Sequence, residues 1–402
     1  MKSIKEVIET PIKYDCDVLV AGGGVAGISA AIAAARRGAR VILTDRGFML
    51  GGLATAGLIT IYLPLCDGMG NQVTFGIAEE LFRLSIEHAV EDRYPRAWLE
   101  GGTKEERAAV RYEVQFNPQL FAISAERLLI SLGVRILYGV QVCAVNKSED
   151  KISEVIIEGK SGREAISVKS VVDATGDADV CHLSGEDTVL FKQGNVLAAW
   201  YYSYGDGEYK LNMHGYCDIP DEDREEGQKI ETIVARRFGG LDTEELSEMV
   251  CLSHLAIKNN IKKDRKYTDG VIPTTIATIP QIRMTRRIDG VTTIDTADDR
   301  RRFEDSVGTF SNWKKRGPIY ELPFSSLYGQ RVKNLITAGR CTAATEAMWD
   351  VTRVIPVCAV SGEAAGAAAA ASSDFASMDV SSLQNHLRSQ GVKIHIDELP
   401  LD

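Results

Sequence analysis

The feature that most constrains this chain lies near its start, where CDVLV at 16–20 runs into AGGGVAGISAAIAAARRG. The apolar run reads as a short buried strand, and the Ala-rich stretch at 25–37 reads as a helix that Gly38 can end. Between them Gly22, Gly24 and Gly27 stand in the spacing G-x-G-x-x-G. The first glycine permits a tight turn, the second lets a diphosphate approach the backbone, and the third lets helix pack closely on strand. The helix then directs its unpaired N–H groups and the positive end of its dipole at that diphosphate. A second strand, Arg40 to Thr44, closes on Asp45, 18 residues beyond Gly27. That is close to the spacing of about 20 for an acid that accepts ribose hydroxyls. Strand, glycine turn, helix, strand and acid together predict a dinucleotide-binding βαβ unit rather than a plain Gly-rich turn. The uncharged length from Val18 to Ala35 would suit a membrane span, but its glycines divide it into strand, turn and helix.

The remaining composition narrows the partners. At 402 residues, 45% apolar and 25% charged, the chain can bury a full core in two or three domains. A net charge of −10 argues against a nucleic-acid or anionic-membrane partner. Cys16, Cys66, Cys143, Cys181, Cys217, Cys251, Cys341 and Cys358 include no Cys-x-x-Cys pair, and the six histidines show no metal spacing. No metal is expected. The opening MKSIKEVIET carries charge where a signal peptide would be apolar, so a reduced cytoplasmic protein is expected.

Two later segments repeat the strand-to-glycine pattern. SVVDATGDADV gives a strand from Ser170 to Asp173 and a Thr-Gly turn; NLITAGR gives another, Leu335 to Ala338, ending in Gly339. Between them and the first unit stands a doublet, Gly51-Gly52 in RGFMLGGLATAGL, only six residues beyond Asp45. A bare loop there can lie along an extended ligand, where a nicotinamide dehydrogenase would run into its next helix. DVLVAGGGVAGISAAIAAARRGARVILTDRG, GGLATAGL, VVDATGDADV and NLITAGRCTAATEA with TRVIPVCAVSGEAAG resemble the FAD-dependent oxidoreductase family. This broad family is distantly similar to fumarate reductase flavoproteins and to the flavin-carrying part of heterodisulfide reductases. The resemblance covers roughly 14–180 and 330–372. The cysteine clusters of the heterodisulfide reductase relatives are absent.

The resemblance implies FAD as cofactor and assigns roles to residues. Gly22, Gly24, Val25, Ala26 and Gly27 would hold the diphosphate and Asp45 the adenosine ribose. Arg46, Gly51, Gly52, Leu53, Ala54 and Thr55 would line the diphosphate and flavin. Val142, on a strand from Gly139 to Val145, would meet adenine through its backbone. Ala174 and Gly176 would flank the adenosine half, and Gly339 and Arg340 the ribityl chain. Arg340 stands where some flavin families have an aspartate. The closing helix, begun by Pro356 and running to about Ala371, would aim its N-terminus at the flavin.

The expected architecture is α/β: a Rossmann-like FAD-binding domain whose chain returns at the C-terminus, with an inserted mixed α+β substrate domain. Residues 14–185 would form the first part of the cofactor domain, 186–330 the insert, 331–375 the returning part, and 376–402 a C-terminal helix and tail. Helices are expected at 76–90 and 117–132, the latter capped by Asn117 with Pro118 at its first position. Strands at 140–146 and 152–158 should form an exposed hairpin. In the insert, IPQIRMTRRIDG carries Arg283 and Arg287 on one face, able to grip a substrate carboxylate or to pair with acids of the cofactor domain. Met284 stands where the family has an acid. Glu346, Trp349, Asp350 and Arg353 would border the flavin, with Arg283, Arg287, Arg353 and Glu346 as candidate catalytic residues. His214 and His254 could each serve as general base.

Such a chain is expected to transfer a hydride between a polar small organic substrate and flavin N5. The alternative is a flavin electron-transfer subunit working with a redox partner protein. A nicotinamide-dependent dehydrogenase, colourless and without the C-terminal return, and a non-catalytic dinucleotide-binding regulator complete the rival readings. The oligomeric state is not written in the sequence.

Overall fold

The apolar run at the N-terminus forms the centre of a seven-stranded sheet. A computed structural model describes residues 3–87, 94–205, 207–214, 233–265 and 270–401. Strand Ile12–Ala21 pairs in parallel with Val41–Asp45 on one side and with Gly162–Asp173 on the other. Arg135–Tyr138 adds a further parallel strand beyond Val41–Asp45. Val18, Leu19 and Val20 are fully buried, as a strand covered on both faces requires.

Gly162–Asp173 begins earlier than the Ser170 expected, because its first half pairs with a neighbouring strand. It has two neighbours on its far edge. Residues 162–167 pair antiparallel with Lys151–Gly159, and residues 171–173 pair in parallel with the returning strand Leu335–Thr337. Lys151–Gly159 also pairs with Gln141–Ser148. The expected hairpin is thus present, as the outer part of the main sheet.

The return is locked by a helix pair. Closing helix Ile355–Ala371 crosses first helix Val25–Arg36 so closely that a Cβ at Gly362 would lie 2.2 Å from Ala26 O, and one at Gly366 would lie 2.0 Å from Ala30 O. Ser29 Oγ also donates to Ala359 O at 2.6 Å. The closing helix is buried nearly all round, which accounts for its unbroken apolar composition. Among the described residues no single helix is long and apolar enough to cross a membrane. Glu346–Thr352 and Ile355–Ala371 pass that test only as a pair bent by 88°.

Other expected helices appear at Ile77–Ser85 and Pro118–Ser131, where Asn117 Oδ1 accepts from Gln119 N and Leu120 N at 3.0 Å. The end of the first of these, 88–90, lies outside the described residues, as do Cys217 and the charged stretch 218–229. Two short helices, Arg96–Leu99 and Lys104–Ala109, lie between these two helices.

A smaller layer stands apart from the main core. Strands Ala199–Gly205, Glu208–His214 and Ile272–Ile276 form a three-stranded sheet, joined by helix Thr243–Arg265. Its apolar clusters are small, one built on Leu197, Phe238, Met249 and Ile282, the other on Ala199, Tyr201, Ala256 and Ile257. Strands Ser306–Ser311 and Ile319–Pro323 belong elsewhere: Val307, Phe310, Tyr320 and Leu322 pack into the main core with the first and closing helices. The segment with its own clusters is thus shorter than 186–330.

Candidate cofactor and active site

The carboxyl ends of the parallel strands converge on one edge of the sheet, where open α/β folds bind ligands. Each glycine of the first turn has a separate steric task. Gly22 has φ +107°, and its Cβ would lie 2.4 Å from Ala174 O; a Cβ at Gly27 would lie 1.8 Å from Gly22 O. These two allow strand, turn and helix to touch. A Cβ at Gly24 would meet nothing within 4 Å, so its open side faces a cavity. Gly24 also caps the first helix without a side-chain hydrogen bond, and no acid stands in the first turn. With no acid in its first turn, the helix therefore presents its first N–H groups and the positive end of its dipole beside the open side of Gly24, which fits a diphosphate.

Loops complete the cradle. Asp45 Oδ2 accepts from Gly23 N at 2.8 Å and Oδ1 from Gly47 N at 2.6 Å, so this carboxylate ties the glycine turn to the following loop while bordering the cavity. Gly51 N donates to Gly23 O at 2.8 Å and brings the glycine doublet alongside the turn. From the returning strand, Gly339 N donates to Ser361 Oγ at 2.8 Å. Arg340 crosses above Gly176, where a Cβ would lie 2.2 Å from its Nη2, and donates to Arg283 O at 2.8 Å.

The cavity has a volume of about 570 Å³, within the range of small-molecule and cofactor sites. Gly22, Gly24, Val25, Ala26, Asp45, Arg46, Gly51, Gly52, Leu53, Ala54, Ala174, Gly176, Gly339 and Arg340 all line it, together with Arg353. Gly27 lies behind the turn. Thr55 is buried, its hydroxyl donating to Leu50 O. Val142 does not line the cavity; it pairs with Ile157 in the outer sheet, while Gly47, Phe48 and Met49 border the Asp45 end.

The remaining candidate residues part company. Arg283 and Arg287 are both buried and neither lines the cavity. Arg283 stacks on Trp200 at 5.3 Å and Arg287 on Trp349 at 5.8 Å. Burial lowers the pKa of Arg287. The interface role expected of this pair falls to Arg286, which donates to Asp179 Oδ1 at 2.8 Å and Asp177 O at 2.9 Å. Glu346 opens helix Glu346–Thr352 and accepts from Lys192 N at 3.1 Å, away from the cavity. His214 stacks on Tyr201. His254 lines a second cavity of about 280 Å³, which shares Thr278, Ile279 and Pro280 with the first.

The main cavity is also walled by the start of the closing helix, which the resemblance directs at the flavin, and by a stretch that overlaps the start of IPQIRMTRRIDG. Ile355 and Cys358 bring the N-terminus of the closing helix to the wall, again without a side-chain cap or first-turn acid. Thr278 to Pro280 and Ile282 also line it. That segment is fastened to the flavin-side loop, since Thr278 N donates to Ala56 O at 2.9 Å and Gln281 Nε2 to Gly57 O at 2.6 Å. It contains neither glycine nor acid, and the expectation for IPQIRMTRRIDG lay on Arg283 and Arg287 rather than on Ile279, Pro280 and Ile282. Asp177 did carry a signal, the acid after the Thr-Gly turn; it lines the cavity and accepts from Thr285 Oγ1 at 2.7 Å. Burial pushes the Cys358 thiol up to about 12 and raises Cys66 as well, which keeps both as thiols. No group of three or more metal-ligating side chains occurs among the described residues.

Comparisons with known proteins agree with this arrangement at the level of family. No curated protein matches the chain. Among solved structures, p-nitrophenol 4-monooxygenase from Pseudomonas putida is 13% identical, with 94% of this chain and 82% of that one covered and a TM-score of 0.45. A geranylgeranyl bacteriochlorophyll reductase-like protein from Thermoplasma acidophilum is 12% identical, covering 94% and 84%, with a TM-score of 0.42. A 3-ketosteroid-delta4-(5alpha)-dehydrogenase from Rhodococcus jostii is 15% identical, covering 90% and 98%, with a TM-score of 0.39. The family profile for FAD dependent oxidoreductase matches residues 17–196 and 191–387, nearly the whole length, so the chain belongs to that family: it is an oxidoreductase, and FAD is its cofactor.

Proposed function

We propose that this enzyme exchanges a hydride between a polar small organic substrate and FAD. The observation that carries the reading is the lining of one cavity. The diphosphate cradle shares it with Arg353, the closing-helix N-terminus and residues 278–280 and 282 of the smaller layer. When bound, FAD supplies the ring that accepts or gives the hydride. Gly22, Gly24, Val25 and Ala26 would hold its diphosphate through backbone N–H groups. Asp45 shapes the ribose end, and Arg340 with Gly339 borders the middle. The chain contributes orientation, exclusion of water by the 278–282 wall, and positive potential from the Ile355 helix N-terminus and Arg353. Residues 14–185 and 331–375 act as the cofactor-holding part, with the smaller layer covering the substrate.

The test is anaerobic. Purified holoenzyme is mixed with alcohols, sugar derivatives and hydroxy acids, and the photoreduced enzyme with unsaturated acids and ketones, while flavin absorbance is followed. Bleaching or reoxidation by a member of these classes is expected. A flavin that responds only to a protein electron carrier would overturn the reading in favour of an electron-transfer subunit.

A further inference from the structure

Gln281 is 3% exposed, and the two ends of its amide are engaged in different parts of the molecule. Its Oε1 accepts from Trp200 N at 2.8 Å, on strand Ala199–Gly205 of the smaller layer. Its Nε2 donates to Gly57 O at 2.6 Å, in the loop that follows the glycine doublet. The orientation is forced, because a flipped amide would set oxygen against oxygen at Gly57 and N–H against N–H at Trp200. One side chain therefore joins sheet and loop.

The surroundings of that bridge give it a use. Pro280 and Ile282 line the cofactor cavity, whereas Gln281 between them borders the second cavity. Ala56, one residue before Gly57, also lines the cofactor cavity and accepts from Thr278 N at 2.9 Å. The hydroxyls of Thr60 and Tyr202, 2.6 Å apart, add a tie between the same loop and the same strand. Asn195 fastens the downstream end of the segment, its Oδ1 accepting from Arg283 N at 3.2 Å and Met284 N at 3.0 Å. Segment 278–282 is thus anchored in its own layer and held against the loop by Thr278 and Gln281. Thr278 does so through its backbone, so the side-chain contribution to this junction is that of Gln281.

We propose that Gln281 is a positioning residue for FAD. By bridging Trp200 and Gly57 it keeps segment 278–282 and loop 51–57 in place around the cofactor, and so sets how slowly FAD leaves. It acts through the cavity walls and not through the diphosphate cradle. The inference rests on FAD as cofactor and not on the class of substrate. An enzyme that exchanges no hydride with small molecules would sink the earlier reading and leave this one standing.

The test needs no turnover. Holoenzyme is diluted and flavin fluorescence is followed as FAD leaves, while hydrogen exchange is measured on the peptide that contains Trp200. Gln281→Met keeps the length of the side chain and removes both bonds. It should release FAD at least fivefold faster and open the Trp200 amide to exchange. Gln281→Asn keeps the amide but is one methylene too short to span both partners, and it should also release FAD severalfold faster. Ile257→Ala, in the small cluster with Ala199 and Tyr201, should lower the melting temperature yet leave FAD release within twofold of wild type. Where Gln281→Met does not fold, the polar Gln281→Asn carries the test.

Unchanged FAD release in the Gln281 variants would overturn the proposal. So would release that follows melting temperature across all three variants, Ile257→Ala included, since the glutamine would then serve the fold alone. A Gln281→Met enzyme whose Trp200 amide stays protected would overturn it as well, because the bridge would not be what holds the strand.

Discussion

Adding one methyl group at Gly24 and at Gly27 asks two different things of the same turn. At Gly27 the new carbon would stand 1.8 Å from Gly22 O, so backbone must move. Gly27→Ala should lose about 1–3 kcal/mol of stability, as overpacked sites do, readable as a shifted denaturant midpoint even without cofactor. At Gly24 the carbon would enter open space at φ −68°, a conformation alanine adopts freely. Gly24→Ala should therefore keep the apoprotein midpoint within roughly 0.5 kcal/mol, the scale of an N-cap change, yet weaken FAD binding at least tenfold in a fluorescence titration. Equal effects at both positions would mean that the open side of Gly24 does not receive the diphosphate. These glycine roles are legible in sequence because the contacts that define them lie mostly within one βα turn. The arginines are the opposite case. Nothing near Arg283 or Arg287 foretells that Trp200 and Trp349, 83 and 62 residues away, will cover them. Burial by distant partners is invisible to local pattern.

The closing helix Ile355–Ala371 shows what an element can conceal within an apolar pattern. Glu363 lies inside it, buried, with Oε2 accepting from Ile77 N at 2.8 Å. It thereby caps helix Ile77–Ser85, whose own N-cap, Gly76, supplies no side chain; a Cβ there would lie 2.4 Å from the same oxygen. Burial is the main reason its pKa rises from 4.5 to about 8, with Glu80 adding to the rise and Ile77 N–H and Arg36 opposing it. The folded state thus holds this proton more tightly than the unfolded chain. Its contribution is complete below about pH 4.5 and is lost as pH rises through 8. Glu363→Gln keeps an acceptor for Ile77 N–H and removes the titration. The variant should gain stability relative to wild type between pH 5 and 8, measured as the difference in urea midpoints across that range. A constant difference would show that the carboxyl titrates alike in both states. The sequence marked this helix by its alanines and by Pro356, but the target of its one carboxylate lies 286 residues away.

At the scale of the molecule, one ligand site is assembled from segments far apart in the chain: the first turn, the glycine doublet, the Thr-Gly turn, the 278–282 wall, the returning strand and the closing-helix N-terminus. Their strand-borne parts were legible because each ends in glycine. The wall was not, because only tertiary folding carries it to Ala56 and Gly57. Two kinds of stability follow from this assembly. The central strands and the paired first and closing helices share one large core, which exists without a ligand. The smaller layer relies on minor clusters around Phe238 and Ile257 and on its bonds to the loop at 56–57. FAD at a hundredfold excess over its dissociation constant adds about 2.7 kcal/mol to the whole fold, which slows exchange wherever exchange requires global unfolding. Local openings respond only where the cofactor touches. Hydrogen exchange of apoenzyme and holoenzyme, compared under conditions dominated by local opening, should therefore differ at 22–26, 51–57, 278–282 and 353–358. Amides at 152–157 in the outer sheet should be unaffected. Selective protection of 278–282 is the decisive outcome, because that segment belongs to the smaller layer and comes to the cavity only through folding. Protection confined to 22–26 and 51–57 would mean that the wall does not close over the cofactor, and the substrate would then have to be sought outside this cavity.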